Sequence, residues 1–156
     1  MTTYKGAQTE LAQLPDTHLL WDMLSMCLDG YSANAKSHER VSNTLDRHVF
    51  KTVSVLYQQL AERLLKGVDE LPEDTGTMNP EPGYIAIAYI SALNASDRFL
   101  STRVMHVNCQ VIKRVGRLVR KLNNRVFANG IIDYLSRIQV VLDNTESRRK
   151  AAKLIK

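Results

Sequence analysis

The sequence predicts an all-α fold, a helical bundle of about four to six helices that includes one helix of about 30 residues. Three observations predict it. Val, Leu and Ile recur every three or four residues through most of the chain, and only a helix turns such positions to one side. One stretch alone, Asp69 to Gly83, gathers prolines, glycines and acids and reads as an exposed loop. No two segments alternate in a way that would let strands pair, and an unpaired strand is unstable.

Each element has its own signal. Residues 1–14 are polar with scattered apolar positions and read as a loose arm or a short helix. Pro15-Asp16-Thr17 is a helix start, with a side chain available to the first orphan N–H groups. Leu19, Leu20, Met23, Leu24, Cys27 and Leu28 form the apolar face, and Gly30 reads as its stop. Residues 31–37 then read as a connection. Ser37 caps the second and longest helix, whose stripe of Val41, Leu45, Val49, Val53, Leu56, Leu60, Leu64 and Val68 implies a rod of roughly 45 Å. Such a rod needs cover along its whole length, from the chain's own helices or as the seam of a homo-oligomer.

After the 69–83 loop, Tyr84 to Leu93 alternates large and small residues as a buried strand would. Nothing else pairs with it, so helix is the better reading. Leu100, Val104, Val107, Val111, Val115, Leu118, Leu122 and Val126 make the next stripe, and Asn129-Gly130 marks a turn. A last helix carries Ile131, Tyr134, Leu135, Ile138, Val141 and Leu142, with a basic tail that extends it or frays from it. The 156 residues suit one domain, 1–156, with the 69–83 loop as a crossover or as a hinge between two parts.

The net charge of +5 conceals a division. Residues 1–97 hold seven Lys and Arg against thirteen Asp and Glu, whereas residues 98–156 hold fourteen against three. The halves therefore carry −6 and +11. Concentrated like charge opposes compaction, so a polyanionic or acidic partner is the expected reason for keeping it. The densest cluster is Lys113, Arg114, Arg117, Arg120, Lys121 and Arg125, interleaved with Ile112, Val115, Leu118, Val119, Leu122 and Val126. At helical spacing Arg114, Arg117, Lys121 and Arg125 share the side opposite the apolar stripe, with Lys113 and Arg120 flanking them. Successive cations would lie about 5–6 Å apart, close to the phosphate spacing along a strand. Arg148, Arg149, Lys150, Lys153 and Lys156 form a second cluster in the tail.

Other chemistries find little support. His18, His38, His48 and His106 do not repeat a ligand spacing, so no metal or other cofactor is expected. Cys27 and Cys109 lie on or beside apolar faces and read as inert thiols rather than nucleophiles. The Arg40/His48 and Arg98/His106 pairs are spaced too widely for the Arg–His motif of helical nucleases, and no phosphate-binding glycine loop or nucleophile elbow occurs. No apolar run is long enough for a membrane span, and the first residues lack the build of a signal peptide, which suggests a cytoplasmic protein. Leu45-Asp46-Arg47-His48-Val49-Phe50 and the segment Tyr134 to Ile138 resemble short stretches of the PriC family of primosomal proteins, which are basic and helical. That resemblance stops at these two segments and transfers no residue role.

The expected function is a non-catalytic, small helical nucleic-acid-binding protein, DNA or RNA, that contacts the phosphate backbone as an accessory subunit or regulator of a nucleoprotein complex. The alternative is an adaptor, inhibitor or assembly subunit that docks an acidic protein surface.

Overall fold

Among the described residues five helices follow one another: α1 (Thr2–Arg40), α2 (Thr44–Asp69), α3 (Tyr84–Leu93), α4 (Asp97–Arg120) and α5 (Arg125–Ile155). The computed structural model describes the backbone over 2–69 and 83–155, and side chains over 16–68 and 83–154. Most of the expected loop, 70–82, and Lys156 lie outside the described residues. Among the described residues every regular element is helical, and no helix is long and apolar enough to cross a membrane.

The four long helices close a ring. α1 packs on α2, α2 on α5, α5 on α4, and α4 back on α1, while α3 lies over the α1/α4 seam. Polar ties show that α1 runs antiparallel to α2 and to α4, and α2 to α5. Asp16, well inside α1, accepts the Asn123 N–H just after α4 at 3.0 Å. Arg40, at the C-terminus of α1, pairs with Asp97 at the start of α4 at 3.0 Å. Asp46 at the start of α2 faces Arg149 near the end of α5 at 3.8 Å. α2 and α4 are thus parallel across the diagonal. Between the helices sits one apolar cluster that includes Met23, Phe50, Val53, Tyr57, Leu60, Leu64, Leu100, Val111, Val115, Ile131 and Ile138.

The helices break in places the composition does not advertise. α1 continues straight through Pro15, Gly30 and residues 31–37, so the expected start, stop and connection are not there. Ser37 does not cap α2; it is buried within α1 and donates to the Ala33 carbonyl at 2.8 Å. The break falls at residues 41–43, where Asn43 Oδ1 accepts the Asp46 N–H at 3.0 Å and starts α2. The long second helix is therefore shorter than expected, 26 residues, while α1 and α5 reach 39 and 31. Asn129-Gly130 likewise lies inside α5, and the α4/α5 break comes earlier, where Asn124 Oδ1 accepts the Phe127 N–H at 3.1 Å. Leu45, expected in the core, is exposed, and Val126 is 82 % exposed beside the same early break. The remaining α2 stripe is buried against the chain's own helices, so that stripe no longer calls for a homo-oligomer seam.

Packing explains two of the misread glycines. A Cβ on Gly30 would meet the Tyr57 ring at 2.8 Å, so this residue lets α1 and α2 close over the largest fully buried side chain. A Cβ on Gly130 would meet the Arg63 guanidinium at 2.9 Å, so the glycine gives that long side chain of α2 room to lie against α5.

Two arginines donate to carbonyls at helix ends. Arg40 donates to the Leu93 carbonyl and, at 3.3 Å, to that of Ala95, sealing the C-terminus of α3. Arg125 donates to the carbonyls of Val119, Arg120 and Leu122 at 3.3–3.4 Å, doing the same for α4.

Candidate nucleic-acid interface

α4 positions the cationic side chains because its other side is committed to the core. Val104, Val107, Val111, Val115 and Val119 are buried, which turns Lys113, Arg114, Arg117 and Arg120 outward, all exposed. At about 100° per residue these four and Lys121 fan over an arc of roughly 120°, with Arg117 at its centre. The fan overlooks two grooves.

On one side lies the α4/α5 groove. Its first part, about 630 Å³, is lined by Lys113, Gly116, Arg117 and Arg120 of α4 and by Ile132, Ser136, Gln139 and Val140 of α5. No carboxylate lines it. Its second part, about 330 Å³, continues between the same helices and carries Arg149, Lys150 and Lys153 with Cys109, His106 and Glu146. From Ile132 to Lys153 the rise along α5 is roughly 32 Å. Glu146 is held 3.4 Å from Lys150, an exposed pair, and Arg149 faces Asp46 at 3.8 Å. The two expected clusters thus occupy opposite ends of one groove.

On the other side of the fan lies a groove of about 520 Å³ between α1, α3 and α4. Arg114, Arg117 and Lys121 line one wall, and Asp22, Ser25 and Asp29 line the other. Tyr84, at the first turn of α3, forms the end of it, with the Arg114 guanidinium 4.5 Å from the ring centroid. Burial pushes the Asp29 carboxyl above its ordinary range.

Two expected contact residues are placed differently. Arg125 is not on α4 at all but opens α5, and its guanidinium is taken up by the α4 carbonyls. Arg148 lies outside the groove-lining set and donates through Nε to the Asn144 carbonyl at 3.4 Å. Lys113, Arg117, Arg120, Arg149, Lys150 and Lys153 share the α4/α5 groove; Arg114 and Lys121 sit on the opposite flank.

No family model, no curated protein and no solved structure matches this chain. The residues themselves carry the reading.

The sequence did not single out Tyr84, Asp22 or Asp29. Nothing local marks Tyr84, because it joins the α4 cations only through the return of α3 onto the α1/α4 seam. Asp22 and Asp29, seven apart on α1, repeat the spacing of Arg114 and Lys121 on α4, but only the antiparallel packing sets the two rows face to face. Among the described residues no group of three or more His, Cys, Asp or Glu is placed to hold a metal ion.

Proposed function

We propose that the protein binds nucleic acid through its phosphate backbone, with the α4/α5 groove as the principal track and without catalysis of its own. One observation carries this reading: Lys113, Arg117 and Arg120 line a groove wall free of carboxylates, and the tail cations Arg149, Lys150 and Lys153 continue along the same groove. A solvated helix face has no need of this alignment. A row of cations neutralises the phosphates of a strand and releases its counterions, which drives association. Gly116 fits the same use. A Cβ there would meet nothing within 4 Å, so the residue leaves open space in the groove wall at the centre of the cations. The role this supports is that of an accessory subunit or regulator in a cytoplasmic nucleoprotein complex.

Fluorescence anisotropy with labelled single- and double-stranded DNA and RNA, at about 50 and 200 mM salt, tests it. The native protein should bind with steep salt dependence. Replacing Lys113, Arg117 and Arg120 by Gln should flatten the slope by about 0.7–0.9 per lost contact. Absence of binding at the lower salt would overturn the proposal.

A second reading, an acidic protein partner, has its own observation. α3 exposes Tyr84, Ile87 and Ile90, and beyond them Phe99, as an apolar face. Arg98 stands over Phe99 at 5.4 Å, and Arg103 and His106 line the adjoining α3/α4 groove, which holds no carboxylate. An amphipathic segment with acidic flanks suits that border.

A further inference from the structure

The α1/α3/α4 groove differs in kind from the α4/α5 track. A site for phosphates alone has no use for an aromatic ring or for carboxylates, yet this one has Tyr84 at its end and Asp22 and Asp29 along the wall facing the cations. Carboxylates repel a phosphate, but they accept hydrogen bonds from base amino groups and sugar hydroxyls. Tyr84 is 57 % exposed despite its contact with Arg114, so the stacked ring and guanidinium still present a surface. A planar guanidinium on an aromatic face is itself a surface on which a base stacks. The volume of about 520 Å³ has room for one nucleotide. Arg117 lines both grooves, so a strand on the α4 ridge passes within reach of this one.

We propose that the α1/α3/α4 groove receives one unstacked nucleotide of the bound strand. Its base lies against the Arg114–Tyr84 pair, its flanking phosphates at Arg117 and Lys121, and its amino or hydroxyl donors at Asp22 and Asp29. The proposal rests on the phosphate-binding reading and adds a chemical consequence: the protein favours unpaired bases over a duplex, whose bases are already stacked and paired.

The test compares three probes of equal length: a labelled single-stranded DNA, the same phosphate chain with abasic sugars throughout, and the corresponding duplex. Binding is measured for the native protein, Tyr84→Ala, Tyr84→Phe and the Lys113/Arg117/Arg120 to Gln variant. Tyr84→Ala should weaken binding of the base-bearing single strand by about 5- to 100-fold, the range expected when a stacking aromatic is lost. It should leave the abasic chain unaffected, and Tyr84→Phe should retain most of the affinity. Circular dichroism confirms that each variant is folded. If Tyr84→Ala binds the single strand as the native protein does while the triple Gln variant does not, the nucleotide pocket is overturned and the phosphate track stands. Preference for the duplex overturns the pocket as well. If no probe binds any form at low salt, both proposals fall.

Discussion

The carboxamides of Asn34 and Asn108 exchange two hydrogen bonds of 2.9 Å at the centre of the bundle, with both side chains fully buried. Asn34 Nδ2 also donates to the Gly30 carbonyl at 2.6 Å, and the Tyr89 hydroxyl donates to Asn108 Oδ1 at 2.6 Å. One polar cluster therefore joins α1, α3 and α4 at a single register. An apolar contact would tolerate sliding by a turn, whereas a slip here strands buried amides. This cluster fixes α3 against the α1/α4 seam, and with it the position of Tyr84 beside Arg114.

Replacing Asn108 by Leu should cost about 2–4 kcal/mol, because it leaves the buried Asn34 Oδ1 without its donor and takes away the acceptor of the Tyr89 hydroxyl. Asn34→Leu should cost a comparable amount. The double variant should lose at least about 1 kcal/mol less than the sum of the two, since it removes both members of the pair. Urea denaturation followed by circular dichroism measures all three. Strict additivity would show that the pair does not act as a unit.

The helical period is legible in the sequence and the helix ends are not, and this pair shows why. Residues 31–37 look like a loop because Asn34 and Ser37 are polar in the middle of small residues. They are helical because each finds a partner inside the protein, Asn108 and the Ala33 carbonyl. Asn129-Gly130 lies inside α5 between the buried Ala128 and Ile131, and the real breaks rest on single Asn caps that composition hardly marks. The cationic side of α4 was legible because exposed charge at helical spacing is a local property. How the fan divides between two grooves was not, because that depends on which helices return to flank α4.

Gly30 and Gly116 should respond oppositely to Ala. At Gly30 the new Cβ meets the fully buried Tyr57 ring at 2.8–3.0 Å, and moving that ring should cost about 1–3 kcal/mol. At Gly116 the Cβ enters open space, so the gain in helix propensity should stabilise the fold by about 0.5–1 kcal/mol. Gly116→Ala should nonetheless weaken oligonucleotide binding if a strand lies against that part of α4. Thermal melts and anisotropy on the same samples separate the two effects.

Arg120 and Arg125, five residues apart in a cluster that looks uniform in sequence, should have different duties. Arg125→Gln should lose about 0.5–1.5 kcal/mol of stability, since its guanidinium serves two carbonyls of α4 and that of Leu122 just beyond it. Arg120→Gln should change stability by less than about 0.5 kcal/mol but should reduce the salt slope of binding. The reverse pattern in melts and salt titrations would move Arg125 into the interface and Arg120 out of it.

Asp29 gives the fold a pH dependence of definite sign. Burial holds its folded-state proton affinity above that of the unfolded chain, so its contribution favours the fold below the ordinary carboxylate range near 4. That contribution is lost as pH rises through the raised value. Asp29→Asn should therefore melt higher, relative to the native protein, at pH about 7 than at pH about 4. An equal difference at both pH values would mean that the carboxyl is hydrated in solution.

The two cysteines report on different parts of the molecule. Cys27 is fully buried, and burial followed by the nearby Asp29 charge pushes its thiol far up. A disulfide reagent should reach it only as fast as the protein unfolds. Cys109 is half-buried in the α4/α5 groove; burial and then the Glu146 charge raise its thiol, with Lys113 acting the other way. It should react first, though more slowly than a free thiol, because its thiolate is scarce. A strand lying along the groove covers it. Saturation with an oligonucleotide should then slow the reaction of Cys109 in step with the fraction of protein bound. Cys27 should slow only to the extent that bound ligand stabilises the fold. If Cys109 reacts equally fast in the complex, the strand follows the other flank of α4, and the α4/α5 groove is not its track.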